Sequence, residues 1–304
     1  MALLLGILVY LAWQMYVGRH VLASLDVEWR PIDLVVSFVL AALAYQSLFG
    51  AWLLMLRRTA LFERRYLRRY VRIWWVSYMY RYVPGKLLLL VERARLGADA
   101  GIPYGIGAAM PALETLLAVA AGCAVSLLAA AYYGNGAYTW VLPVAVVPGI
   151  AVLLVPAACR WIMRRPAVTR RYPQLASVNL RTHDILVLLI PYVAHYVLLG
   201  LAFFLFARGI HPMPWSAMPG LCGIFALSHV AGIIVLIAPG GIGVREGALA
   251  VQLQKLVPGS IAGALAIGIR LWFTLAELVC FSVAYIYGRR PLEAPTAKEA
   301  NKVP

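Results

Sequence analysis

Two short strings in this chain concentrate the residue types that hold an anion. The first is Arg81-Tyr82-Val83-Pro84-Gly85-Lys86. Proline followed by glycine breaks a helix and permits a tight reversal, so a new short helix can begin near Gly85 with free backbone N–H groups. Such an end, flanked by Arg81 and Lys86, suits a phosphate. The plainer reading is a shallow turn from which both cations snorkel to the interface. The second string is Ala238-Pro239-Gly240-Gly241-Ile242-Gly243-Val244-Arg245-Glu246-Gly247. Its glycines let the backbone approach a ligand or a neighbouring helix closely, and Arg245 then stands about one turn into the next helix. Glu246 is placed to neutralise an arginine elsewhere, such as Arg93. The plainer reading here is a structural glycine turn with a surface Arg-Glu pair. Each break is followed by such a pair, Glu92-Arg93 after the first and Arg245-Glu246 after the second.

Four further ionisable residues interrupt long apolar runs: Glu114, His195, Arg270 and Glu277. A charge at the centre of a membrane helix costs on the order of 3 kcal/mol by insertion scales, so each is a functional candidate by default. Glu114 and Arg270 are 156 positions apart, close to the 155 that separate Pro84-Gly85 from Pro239-Gly240. They are therefore expected at equivalent places, facing each other, either at a binding site or as a salt bridge that locks two halves. Arg270 and Glu277 stand two turns apart on one helix face. His195 and His229 read as satisfied polar residues, and no third ligand is spaced for a metal. The candidate binding set is Arg81, Lys86, Glu92, Arg93, Glu114, Arg245, Glu246, Arg270 and Glu277, with Lys86 and Arg245 as ligand contacts oriented by Glu92 and Glu246. Nothing in the sequence forms a Ser-His-Asp set, a nucleotide loop or a paired-carboxylate site, so no catalytic residue and no cofactor is expected.

The elements that carry these residues follow from composition. Of 304 residues, 63% are hydrophobic and 13% charged, against roughly 25% charged in a soluble domain. Apolar runs at 3–17, 32–56, 104–133, 138–162, 185–207 and 260–287 give six spans, since ~20 residues cross a hydrocarbon core. The run 3–17 is short but has no basic n-region and no small-residue cleavage pattern, so it reads as a span and not as a signal peptide. Cys123, Cys159, Cys222 and Cys280 sit far apart in apolar segments and read as small core residues. The net charge of +15 collects within 57–72, 160–181 and 289–302. The positive-inside rule places these clusters, and both termini, in the cytoplasm. Basic juxtamembrane clusters also attract anionic headgroups. Nucleic acid is not an expected partner, because no aromatic-basic platform or soluble module accompanies the arginines.

With the clusters inside, the stretch 57–103 starts and ends on the cytoplasmic side, and 218–258 starts and ends outside. Each is expected as a re-entrant hairpin, at 73–96 and 218–258, with its Pro-Gly near the tip. The predicted architecture is an all-α polytopic membrane protein with six transmembrane helices plus two re-entrant helical hairpins. Its halves, 1–136 and 137–288, form an inverted-topology repeat, followed by a disordered cytoplasmic tail at 289–304. Interrupted apolar segments at matching places in inverted halves point to a transporter's binding site.

At the two strings the chain resembles the transmembrane, flippase-like region of lysylphosphatidylglycerol synthases and its stand-alone bacterial and archaeal relatives. The string from Arg81 to Lys86 with Arg93 following, and more specifically the string from Pro239 to Gly247, carry the likeness, and the pattern extends from the second span to the sixth. One departure is Glu114-Thr115, where such proteins usually have Glu-Arg. The resemblance implies a lipid translocase of the bacterial or archaeal cytoplasmic membrane. Its substrate would be a phospholipid or polyprenyl-phosphate-linked lipid with an anionic or zwitterionic headgroup, and its partners a second copy of itself or an envelope-biosynthesis enzyme. No stretch corresponds to an aminoacyl-transferase domain, so lipid movement without lipid synthesis is expected. The alternative is a non-transporting accessory subunit of an envelope lipid or glycan pathway. An intramembrane enzyme is disfavoured, because no nucleophile and base are evident.

Overall fold

A computed structural model describes residues 29–59, 61–83, 87–133, 181–235, 241 and 243–289, with isolated positions between 150 and 161. Among them there is no strand, and eight helices carry the fold. They are α1 (Pro31–Arg58), α2 (Leu67–Met79), α3 (Leu87–Ala98), α4 (Tyr104–Tyr133), α5 (Thr182–Arg208), α6 (Met218–Ile234), α7 (Val244–Leu253) and α8 (Gly259–Arg289). Five described helices are long and apolar enough to cross a membrane: α1, α4, α5, α8 and the segment Trp215–Ile234. This makes the chain a multi-pass membrane protein. The expected span at 3–17, all but a few positions of 138–162, both Pro-Gly tips and the tail at 290–304 lie outside the described residues. The two expected hairpins differ in their first arms. Helix α2 has 13 residues, too few to cross, whereas Trp215–Ile234 has 20, enough to cross by length alone.

Helix ends explain themselves locally. Pro31 opens α1, with Asp33 in its first turn and Arg57 and Arg58 in its last. Helix α5 repeats the arrangement: Asp184 accepts the Arg181 backbone N–H at 2.9 Å, and Arg208 ends the last turn. Acid at the start and base at the end complement the helix macrodipole. The same residues then join the two helices. Arg58 pairs with Asp184 at one end and Arg208 with Asp33, at 3.6 Å, at the other. Helices α1 and α5 are thus antiparallel neighbours, stitched further by Ser37 Oγ donating to Ala202 O at 2.7 Å and Ser47 Oγ to Pro191 O at 3.2 Å.

Around this central pair the other helices pack in matched couples: α2 on α8 and α6 on α4, α3 on α4 and α7 on α8, α2 on α3 and α6 on α7. Lipid tails are as apolar as leucine, so membrane helices associate through close packing and polar contacts. The α4–α6 contact shows the first device. A Cβ added at Gly223 would meet the Ala129 backbone nitrogen at 2.4 Å, so only glycine admits this approach. The large buried side chains, among them Trp52, Trp74, Tyr192, Phe203 and Phe225, fill the space between the couples.

Candidate functional site

A cavity of about 170 Å³ opens where all eight helices converge, near the middle of α5 at Tyr192 and Tyr196. Four of the sequence candidates line it: Arg81, Glu114, Arg245 and Arg270. Arg81 comes from the turn after α2, Glu114 from α4, Arg245 from the first turn of α7 and Arg270 from α8. The second glycine string delivers Arg245. Gly241, at φ +73°, passes so close to α6 that a Cβ there would lie 2.9 Å from Gly232 O, and Gly232 in turn leaves room for the Arg245 side chain. Glu246 Oε2 accepts the Gly243 N–H at 2.7 Å and so fixes the start of α7.

The charges are arranged in three pairs. Arg93 of α3 donates through Nη1 to Glu114 Oε1 at 2.9 Å and through Nε to Ser77 Oγ, while its guanidinium lies 5.3 Å from the Trp52 ring and 5.5 Å from the Trp74 ring. Arg270 of α8 stands 3.6 Å from Glu246 Oε1 of α7, with no hydrogen bond made. These two pairs occupy corresponding joints, α3 to α4 and α7 to α8, with the signs exchanged. The third pair crosses between the halves: Arg81 pairs with Glu277, which also accepts the Tyr82 hydroxyl at 2.6 Å. Arg81 further contacts Tyr78, its guanidinium 4.2 Å above that ring.

Arg245 is the exception. It is 6% exposed and stacks 4.8 Å over the Phe225 ring, yet makes no ion pair or hydrogen bond among the described residues. Four arginines, Arg81, Arg93, Arg245 and Arg270, therefore meet three glutamates, Glu114, Glu246 and Glu277, leaving one positive charge uncompensated. The cavity walls hold further unsatisfied atoms. Arg270 Nη2, the Tyr192 hydroxyl and His229 Nδ1 are buried with no hydrogen-bond partner. Buried polar groups are normally paired, so these atoms have bonds to give to water or a polar ligand in the cavity. No group of three potential metal ligands occurs among the described residues.

Compared with protein-family models, curated proteins and solved structures, the chain matches none.

Several expectations change in detail. Arg93 pairs with Glu114, not with Glu246, because α3 packs on α4 within its own half. Glu114 and Arg270 line the same cavity but each turns to its own local partner. Glu92 is not among the residues that line the cavity and pairs with Arg95 one turn along α3, at 2.8 Å. Lys86 lies outside the described residues. Glu277 is buried at the inter-half pair and is held there by Arg81 and Tyr82. His195 is satisfied, its Nδ1 2.8 Å from Ala44 O, whereas His229 is not. Sequence reasoning missed Tyr78, Tyr82 and Tyr192 at the site. Tyr82 stands inside the first string, beside Arg81, and was the one with a readable signal.

Proposed function

We propose that this protein moves a phosphate-bearing lipid, a phospholipid or a polyprenyl-phosphate-linked lipid, across a cytoplasmic membrane. The observation that carries the reading is Arg245, a buried guanidinium without a counter-ion among the described residues, on the wall of a cavity that holds net positive charge. An unpaired buried charge is strongly unfavourable, and a ligand phosphate is the group that satisfies it, with Arg270 and Arg81 alongside. At about 170 Å³ the cavity is below the 300 Å³ or more typical of sites enclosing a whole drug-sized ligand, so it takes a headgroup while the acyl chains stay in lipid.

The architecture that fits this role is an inverted repeat of six spans and two re-entrant hairpins, with both termini cytoplasmic and the site between the halves. Three observations support it. Helices recur in the same order, α1 to α4 and α5 to α8, at offsets close to half the chain. The central α1–α5 pair is closed by an Arg-Asp bridge at each end. The α3–α4 and α7–α8 joints carry Arg-Glu pairs of exchanged sign. The motif resemblance to the flippase-like region of lysylphosphatidylglycerol synthases points the same way, and the reading assigns no chemical reaction to the chain.

The test is transport of a fluorescent phospholipid by purified protein in vesicles, with the melting temperature of the same preparation. Arg245→Gln is expected to abolish movement and leave the melting temperature within a few degrees of the wild type. Normal transport by a stable Arg245→Gln protein removes Arg245 from the site and with it the argument for a phosphate-bearing substrate.

A further inference from the structure

The cavity is not uniformly cationic. Arg245 and Arg270, on α7 and α8, each present a buried Nη2 without a partner. The lining contributed by α4 and α5 instead holds Glu114 and Tyr192. Tyr192 is 2% exposed, and its hydroxyl has no hydrogen-bond partner. His229 of α6 lies on the arginine side, sharing the Phe225 ring with Arg245. Its own ring is held edge-on by Phe225 at 6.0 Å and Tyr196 at 5.4 Å, and its Nδ1 is again unpaired. A phosphate alone satisfies only the guanidiniums. It leaves the phenol of Tyr192 unmatched.

From this asymmetry we infer that the cavity recognises a phosphodiester headgroup whose far end carries hydroxyl groups, with the phosphate at Arg245 and Arg270 and the hydroxyls at Tyr192 and Glu114. The inference rests on the proposed reading of the cavity as a headgroup site and names the class of headgroup. Hydroxyls fit this wall better than an ammonium does, because Glu114 is already neutralised by Arg93 at 2.9 Å. A second cation there has no charge left to meet, whereas a hydroxyl donates to the carboxylate and exchanges a hydrogen bond with the phenol. Sites built to hydrogen-bond a substrate hydroxyl discriminate strongly against the analogue that lacks it, since their own polar groups are then left buried and unpaired.

The discriminating probes are phosphatidylglycerol and phosphatidylmethanol, which carry the same single phosphodiester charge and differ in the hydroxyls. Their soluble counterparts are methyl glyceryl phosphate and dimethyl phosphate. Binding to the purified protein is measured for the lipids by native mass spectrometry and for the soluble pair by calorimetry. The wild type is expected to hold phosphatidylglycerol about tenfold more tightly than phosphatidylmethanol. Tyr192→Phe, which removes one oxygen and keeps the ring, is expected to lower phosphatidylglycerol to the level of phosphatidylmethanol and leave the latter unchanged. Arg245→Gln is expected to weaken both. A matching preference within the soluble pair assigns recognition to the headgroup alone, and a preference confined to the lipids assigns the site to membrane-borne ligands. Equal binding of the two lipids by the wild type, or a preference that survives Tyr192→Phe, overturns the hydroxyl inference and leaves the phosphate reading standing. Indifference of both lipids to Arg245→Gln overturns the phosphate reading itself.

Discussion

Arg93 in the first half and Arg270 in the second occupy mirrored joints, and their surroundings differ. Arg93 has a carboxylate at 2.9 Å, a serine hydroxyl on its Nε and tryptophan rings at 5.3 and 5.5 Å. Arg270 has a carboxylate at 3.6 Å, no hydrogen bond from Nε or Nη2, and a second guanidinium, Arg245, on the same cavity wall. The two Arg-Glu pairs thus differ in how closely the carboxylate holds the guanidinium. Both arginines keep one buried Nη2 without a partner, but the close, hydrogen-bonded carboxylate leaves Arg93 less of its charge for an incoming anion than Arg270 keeps. The sign exchange between the halves accounts for the asymmetry. Reversing the Arg-Glu pair puts the guanidinium of Arg270 on the long helix, where it meets Arg245 from the short one.

The sharpest way to break this comparison is Arg93→Met. It leaves Glu114 on the cavity wall without its counter-ion, and removing one partner of a buried pair typically costs ~3–5 kcal/mol. The expected result is a large fall in melting temperature in detergent, with much of it restored in the double variant Arg93→Met, Glu114→Gln, where no lone charge is left. An Arg93→Met protein as stable as the wild type would mean that the first-half pair is not structural.

Arg270→Gln sharpens the same contrast with a smaller effect. No hydrogen bond is lost, and Glu246 keeps its bond from the Gly243 N–H at 2.7 Å. The cost to stability is expected to be roughly 1–2 kcal/mol, less than for Arg93→Met. Transport is expected to fall more than stability does. Thermal melting and vesicle transport on one preparation separate the two, and a destabilisation equal to that of Arg93→Met would erase the distinction between the joints.

Much of this arrangement was legible in the sequence, for a physical reason. Charges are so costly in an apolar chain that each one inside it marks a place where something polar must meet it. Arg81, Glu114, Arg245 and Arg270 were found that way, and the Pro-Gly breaks located the short helices that carry two of the arginines toward the cavity. Partner choice was not legible, because a register of 155 residues fixes which positions correspond but not which neighbour each side chain turns to. Arg93 accordingly met Glu114, and Glu92, one residue away on the helix, paired with Arg95. Tyr192 was hidden for another reason. A tyrosine within an apolar run reads as core, and only the orphaned hydroxyl distinguishes it from Tyr196 beside it. Asp33 and Asp184 stand at the very ends of apolar runs, where an acid reads as a helix start, so the bridges they form escaped notice.

Those bridges carry the smallest expected effect and test the symmetry most directly. Asp184 pairs with Arg58 and also accepts the Arg181 N–H at 2.9 Å, so it serves both as an ion-pair partner and as a cap for α5. Asp33 meets Arg208 at 3.6 Å and makes no capping bond, since α1 has no side-chain cap. Losing a cap costs typically about 1 kcal/mol and losing a partly exposed ion pair a few tenths. Asp184→Ala is therefore expected to lower stability by about 1 kcal/mol and Asp33→Ala by roughly half of that or less. Raising the salt concentration is expected to shrink the Asp33 difference and leave the capping part of the Asp184 difference in place, because screening acts on charge pairs and not on a backbone hydrogen bond. Melting curves of the two variants at low and high salt provide the measurement. If Asp33→Ala proves the more damaging, the capping bond of Asp184 is not what distinguishes the two ends of the α1–α5 pair.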